Sequence, residues 1–379
     1  MSSTEPARVR VGVIGCGLIA QLMHLPYLTE LADRFELAAL CDASPEVLAA
    51  CAERYGVERT FARWEDLVAE PLDAVLVLTP GSHAPMAIAA ARAGLHVFVE
   101  KPLAMSPDEG AAMVDAAQAA GVRLMVGTMR RYDPAYGRLV ELVGEVDDIR
   151  LVQSTTLESP LGPYVVHHPP IRASTPPALV ADHAAEEAAI GRALGPDASE
   201  DERWTYRFVL LDNLVHEFNM LRGVLGEPDV IRYARLDRRT AAVQLAFGNA
   251  ECHLSWVDLP GIAHYQQELA FHAPDARLVL SLPSPFLRSA PTRLRAEGGE
   301  PGTAHAWERD EVVGYDEAFK RELVELHRAI TEGRDARTSG LDGLRDLVLC
   351  EAVARVARTG MPIECPTDVA AVSRLLERA

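Results

Sequence analysis

The 379-residue sequence predicts an α/β protein: an N-terminal doubly wound parallel sheet followed by an α+β domain built on an open, mainly antiparallel sheet. Three observations predict it. From residue 8 to about 127, short β-rich runs alternate with Ala-rich amphipathic stretches, the rhythm of strand, crossover helix, parallel strand. Past residue 147 strand candidates follow one another with few helices between, which is the pattern of an antiparallel sheet. The first strand also runs straight into a glycine-rich turn.

In order, "VRVGVIG", "FELAALCD", "DAVLVLT", "HVFVE" and "VRLMVGT" read as the strands of the first domain. Between them "SPEVLAACAERYG" and "APMAIAAARAG" read as helices, each closed by a Gly suited to a left-handed cap. After "RRYDPAYGRLVELVGE" come "DIRLVQSTTLES", "VIRYARLD", "TAAVQLAFG", "AECHLSWVDL" and "ARLVLSLP" as strands of the second. Residues 160–207 are rich in Pro and polar residues, then in Ala, so a long excursion holding one helix is expected near the pocket; structureless loops of such length are usually functional or disordered. From Tyr315 onward the chain reads as helical, broken near "SGLDG" and ending in a loop near "TGMPIECP". The expected boundary falls at residue 130, giving domains 1–130 and 131–379.

A net charge of -18 disfavours nucleic acid and anionic membrane surfaces as partners. The N-terminus lacks a basic start, an apolar core and a cleavage site, and no run approaches membrane-spanning length, so a soluble cytoplasmic protein is expected. Six cysteines without a Cys-x-x-Cys pair or zinc-type spacing read as small core residues in a reducing compartment, and no metal site is expected.

In "VRVGVIGCGLIAQLMH", Gly15, Gly17 and Ala20 form Gly-x-Gly-x-x-Ala between a strand and a helical pattern, with Leu18 and Ile19 in the same loop. Gly15 permits the tight turn, Gly17 lets the backbone approach a pyrophosphate, and Ala20 lets helix and strand pack closely. This is the Rossmann fingerprint. Asp42 ends the second strand where an acid holds the adenosine ribose hydroxyls, and it would repel a 2′-phosphate, which favours NAD over NADP. The competing reading makes Asp42 a cap for the helix "SPEVL".

Ligands of an open parallel sheet sit outside the carboxyl ends of its strands. Three more strand ends carry polar residues there: Thr79-Pro80-Gly81-Ser82-His83, Glu100-Lys101-Pro102 and Thr128-Met129-Arg130-Arg131-Tyr132. Taken alone, Glu100-Lys101 is more often a solvated pair at a strand exit and His83 more often a helix-start residue. In "VLLDNLVHEFNMLRGVLG", Leu211, Leu214, Val215, Phe218 and Leu225 form an apolar stripe, while Asp212, His216 and Asn219 share another face. A histidine with an ordinary pKa near ~6.5 is a natural general base for a hydroxyl proton, and Asp212 could orient it or bind the hydroxyl.

These residues resemble the glucose-fructose oxidoreductase, inositol dehydrogenase and rhizopine-catabolism (Gfo/Idh/MocA) family over almost the whole chain. The resemblance runs from "GVIGCGLIA" through "TPGSHAPMAIAAARAGLHVFVEKPL" to the C-terminal "FKRELVELHRAITEGRDARTSGLDGLRDLVLCEAVARVARTG". Glu-Lys-Pro after a strand is its most specific element, and "GTMRRYDPAY" resembles the inositol dehydrogenase members, in which the matching Met129 and Arg130 positions lie near cofactor and sugar ring. The resemblance implies hydride transfer between NAD and a secondary alcohol or ketone of a sugar, inositol or cyclitol, in a homodimer or homotetramer. It implies Lys101 as the catalytic lysine, touching cofactor and substrate, and it pairs Asp212 with His216 at the substrate. Where the family often carries two glycines and a later Asp, this chain has Arg207-Phe208 and Asn219. The excursion could add His167 or His168 to the substrate set; the plain alternative is a polar loop. Two other functions fit the same fold: a glycosidase that oxidises, eliminates and rehydrates with no net turnover of NAD, and a non-catalytic NAD-binding regulator.

Overall fold

The computed structural model describes residues 8–172 and 177–365. Two sheets dominate it, each in its own compact unit. The first unit holds residues 1–128, 168–193 and 319–347; the second holds 129–167, 194–318 and 348–379. Residues 168–193 and 319–347, which a boundary at 130 assigns to the second domain, pack in the first unit.

The first sheet comprises β1 (Val9–Ile14), β2 (Phe35–Cys41), β3 (Arg59–Phe61), β4 (Ala74–Val77), β5 (His96–Glu100) and β6 (Leu124–Gly127). All pairs are parallel and the order is β3-β2-β1-β4-β5-β6, the doubly wound arrangement with its switch point between β1 and β4. β4 and β6 are buried along their whole length because helices cover both faces, so they read as continuous apolar runs. β3 has no apolar run of its own and is an exposed edge, which hid it from the sequence pattern.

Local chemistry sets the crossovers. Ser44 caps the helix Pro45–Tyr55 by accepting from the Val47 N–H, and Gly56 closes it at φ 65°. Ser106 does the same for Pro107–Ala120, which ends at Gly121 with φ 68°. The segment after β1 departs from the expected single α-helix: Ala20–His24 is a π-helical turn continuing into an α-helix, Leu25–Glu30.

The second sheet has nine strands: β7 (Leu151–Glu158), β8 (Val230–Leu236), β9 (Thr240–Phe247), β10 (Ala250–Asp258), β11 (Gln266–His272), β12 (Ala276–Leu282), β13 (Arg293–Gly299), β14 (Ala306–Glu311) and β15 (Ile363–Glu364). Their order is β14-β13-β12-β11-β7-β10-β9-β8-β15, antiparallel except for the β7–β10 pair. The sequence pattern missed β11, β13, β14 and β15. β13 and β14 carry little apolar alternation and are linked by cross-strand charge pairs such as Arg295–Asp310 at 3.1 Å and Arg295–Glu308 at 3.6 Å.

The predicted helix around Asp212 is two structures. Thr205–Leu214 is a π-helix, and an α-helix begins at Val215 and runs to Leu225. Leu211, Leu214, Val215 and Phe218 are buried as the stripe predicts, whereas Leu225 is half-buried. The excursion holds the expected long helix, Pro177–Leu194, but also the short helices Gly162–Val165 and Glu200–Trp204. Residues 173–176 of that excursion lie outside the described residues.

Candidate active site

In the first unit the predicted cofactor residues gather at the carboxyl ends of β1, β2, β4 and β5. Gly15 has φ 93°, and a Cβ there would lie 2.9 Å from the backbone nitrogen of Thr79. The turn thus requires glycine both for its dihedral and for the close passage of the β4 exit. A Cβ on Gly17, by contrast, would meet nothing within 4 Å, so that glycine leaves a cradle open to a ligand rather than to protein. Leu18 and Ile19 are half-buried beside it and Ala20 is fully buried.

Asp42 is not the helix cap, since Ser44 takes that role. Its Oδ2 accepts from the Cys16 N–H at 2.7 Å and its Oδ1 from the Ser44 N–H at 2.7 Å, which ties the end of β2 to the glycine turn. Each oxygen keeps a further lone pair, so the carboxylate is oriented and can still accept from ribose hydroxyls. These features fit a dinucleotide: an oriented acid, an open cradle and a helix start.

We expect Gly15→Ala to lower stability by ~2 kcal/mol, from the combined cost of a left-handed non-glycine residue and a backbone clash. NADH affinity should fall with it. Thermal unfolding and a fluorescence titration with NADH would measure the two effects, and an unchanged titration would remove the turn from the binding site.

At the β4 exit, Thr79 is half-buried and Pro80 exposed. His83 is buried, with Nδ1 2.9 Å from the Pro102 carbonyl oxygen and Nε2 2.8 Å from that of Thr79. Burial lowers its pKa against the pull of those two carbonyls. His83 therefore fastens the β4 loop to the Lys101-Pro102 peptide, which is cis, and both ring nitrogens face backbone. That makes it a brace of the loop after β4.

Glu100 ends β5 at 6% exposure. Its Oε1 meets His24 Nε2 at 2.6 Å and its Oε2 accepts from the Lys101 N–H at 3.1 Å. The carboxylate thus holds the backbone at Lys101, whose side chain is half-buried. Sequence reasoning missed His24, a buried histidine in the apolar run "QLMHLPYL", and with it the partner that fixes Glu100.

It also missed Gln21. This side chain bonds the Cys16 carbonyl at 2.8 Å and pairs with the backbone of Ile171 in both directions, at 2.7 Å and 3.1 Å. Further along, a Cβ on Gly81 would come 3.5 Å from the Glu186 carboxylate, and Arg192 pairs with Glu109 at 3.1 Å. Part of the excursion therefore lies against the glycine turn and the β4 loop of the same unit.

In the second unit, Met129 and Arg130 follow directly on β6 in a 3₁₀ turn, Met129–Tyr132, and both are buried. Arg130 donates to the Pro283 carbonyl at 3.1 Å and to the Tyr265 hydroxyl at 3.4 Å. Its charge reaches Glu158 and Glu217, and Asp212 acts on Glu158. Burial raises the Glu217 carboxyl, opposed by hydrogen bonds from Thr156 at 2.5 Å and Gln267 at 2.6 Å. Burial also raises Glu158, with further upward pushes from the charges of Glu217 and Asp212. Burial raises Tyr265 as well, keeping it a neutral phenol. Tyr265, Glu158 and Glu217 carried no pattern along the chain, because the end of β7, the residue before β11 and a helix bring them together.

Asp212 is exposed in the π-helix, while His216 is half-buried one residue inside the following α-helix. The change from π to α winding falls between them, a feature that recurs at functional sites. Asn219 is 1% exposed, and its carbonyl oxygen and Oδ1 both take Arg131 Nη1, at 3.0 and 3.4 Å. It thereby anchors the 3₁₀ turn from within. His167 and His168 are exposed beyond the short helix Gly162–Val165.

The chemistry available is a dinucleotide cradle with a lysine at the β5 exit in one unit. The other unit offers Asp212 and His216 on successive helical segments, together with the buried side chains of Arg130 and Glu217. No helix among the described residues is long and apolar enough to cross a membrane.

Comparison with known proteins bears on this directly. Residues 9–128 match an oxidoreductase family described by its NAD-binding Rossmann fold, Gfo/Idh/MocA. Inositol 2-dehydrogenase of Rhizobium meliloti (strain 1021) is 27% identical over 362 residues, 92% of this chain and 96% of its own. Inositol 2-dehydrogenase 3 of Saccharopolyspora erythraea is 27% identical over 366 residues, 94% and 95% of the two chains. Among solved structures, a levoglucosan dehydrogenase in complex with NADH and levoglucosan superposes with a TM-score of 0.74. It is 20% identical and the match covers 95% of this chain and all of the other, a likeness of fold.

Proposed function

Because the chain belongs to the Gfo/Idh/MocA oxidoreductase family and carries its NAD-binding Rossmann domain, we propose that it is an NAD(H)-dependent dehydrogenase of a sugar, inositol or related cyclitol. The reaction is oxidation of a secondary alcohol, or the reverse reduction of its ketone. The observation that carries this reading is the β5 exit, where a buried carboxylate grips the Lys101 backbone beside the nucleotide turn.

NAD, when bound, supplies the hydride acceptor. Gly15, Gly17 and the start of the helical segment would hold its pyrophosphate, and Asp42 its adenosine ribose. Lys101 places a positive charge where an alkoxide develops, and a charge fixed in advance in a site poor in water stabilises that oxygen most. His216 accepts the hydroxyl proton as oxidation proceeds and returns it in reduction. Asp212 orients His216 or binds the hydroxyl. Arg130, Tyr265 and Glu158 offer donors and acceptors for further hydroxyls, as a polyol requires. The names of the relatives, which denote inositol and levoglucosan dehydrogenases, favour such cyclic polyhydroxy compounds.

A panel of inositols, sugars and their phosphates incubated with NAD⁺ should produce growth of absorbance at the NADH band. Release of an aglycone from a glycoside without NADH accumulation would instead identify the redox-neutral glycosidase. Silence in both directions, with NAD demonstrably bound, would leave a non-catalytic NAD-binding protein.

A further inference from the structure

One buried group of the first unit has no part in the chemistry above. Glu322 lies in the helix Ala318–Thr331 and is 0% exposed. Among the described residues neither of its carboxyl oxygens has a hydrogen-bond partner. A ligating atom of Glu322, one of His24 and one of Glu100 all fall within 4.8 Å of one another. The rings of Phe98 and Phe319 close on His24 edge to face, at 5.3 and 5.8 Å, and His24 is itself 0% exposed.

Two carboxylates this close in a dry site repel, and each loses its hydration, so one of them keeps a proton. Hydrogen bonding decides which. Glu100 has two donors, His24 Nε2 at 2.6 Å and the Lys101 N–H at 3.1 Å, whereas Glu322 has none. The charge therefore rests on Glu100 and the proton on Glu322. At 2.6 Å, His24 and Glu100 are in direct hydrogen-bond contact rather than spread around a cation.

We propose that Glu322 is a positioning residue for the Glu-Lys-Pro turn: it leaves Glu100 the one negative charge of the cluster, and its ionisation loosens the hold of Glu100 on Lys101. This rests on the reading of Lys101 as the charged group of the active site. The groups facing Glu322 are His24 from the π-helical turn and Glu100 from the end of β5. His83, at the β4 exit, also feels the Glu100 charge. Burial, followed by the charge of Glu100, pushes the Glu322 carboxyl well above the usual range. Its folded-state pKa thus exceeds its unfolded value. The stability it contributes is fully present below the ordinary carboxyl range, near 4.5, and is lost as pH rises through the raised folded value.

The test uses the full chain and needs no substrate. Unfolding midpoints of the wild type and Glu322→Gln are compared from pH 5 upward; ~1.4 kcal/mol per pH unit is the slope one retained proton produces. The wild type should lose stability relative to the variant as pH rises, so the gap widens. In parallel, carbon-13 at the lysine Cε is followed by NMR against pH. The chain has only two lysines, Lys101 and Lys320, and Lys320 pairs with Glu30 at 2.9 Å, which makes it an internal reference assigned through Lys320→Arg. Lys101 should show an inflection in the wild type that Glu322→Gln removes, while Lys320 behaves alike in both. Should Glu322→Gln fail to fold, Glu322→Met supplies the same neutral comparison. Superimposable midpoint curves, or a Lys101 titration identical in both proteins, would overturn the proposal. Full turnover by Lys101→Ala would sink the catalytic reading of Lys101 while leaving these titrations to be judged separately.

Discussion

Lys101→Ala should lower kcat by ~10³-fold, the loss expected when a fixed donor to a developing oxyanion is removed. NADH affinity should stay within ~3-fold, because in the proposed reading Gly15 and Gly17 hold the pyrophosphate and Asp42 the adenosine ribose. Steady-state rates with the best polyol of the panel, beside a fluorescence titration with NADH, separate the two. The expectation has a basis beyond the motif. Of 37 basic residues other than histidine only two are lysines, leaving 37 − 2 = 35 arginines, so the chain meets almost every need for positive charge with arginine. A lysine retained at the β5 exit points to a need for a compact ammonium. Lys101→Arg should accordingly fail to restore activity, since the planar guanidinium presents its charge over a wider fork.

His216→Ala should cost ~10²- to 10⁴-fold in kcat, the range of a positioned general base. The acid limb of the kcat/KM profile should vanish with it, because the group whose deprotonation it reports is gone. The adjacent carboxyl of Glu217 cannot substitute: its Oε1 already takes Thr156 and Gln267, and burial holds its pKa high. A pH–rate profile unchanged in His216→Ala would remove that histidine from proton transfer.

Much of the fold was legible because the parallel sheet is buried on both faces and therefore writes itself as apolar runs ended by polar residues. The same logic made Gly15, Asp42 and Glu100 visible, each sitting where a strand stops. Elements with no such contrast were missed: β3 and β14 are exposed edges, and β13 alternates charge with small residues. The Asp212–His216 spacing was legible as a pair on a helix, but π winding has no residue signature strong enough to foresee here. Partners brought together by topology were invisible. His24 and Glu322 reach Glu100 from positions 76 residues before and 222 residues after it, and Tyr265 reaches Arg130 across 135 residues. The bonds of His83 and Asn219 to Thr79, Pro102 and Arg131 were invisible for the same reason.

The central claim is that hydride passes between a polyol carbon and nicotinamide, and that the reaction requires both Lys101 and His216. Its most direct measurement offers NAD⁺ with carbon-deuterated inositols and sugars, then weighs the recovered cofactor by mass spectrometry. The account predicts reduced cofactor carrying deuterium from at least one compound with the wild type, and none above background with Lys101→Ala or His216→Ala. Cofactor that binds yet never acquires deuterium from any of them, or label that appears equally in both variants, would contradict it.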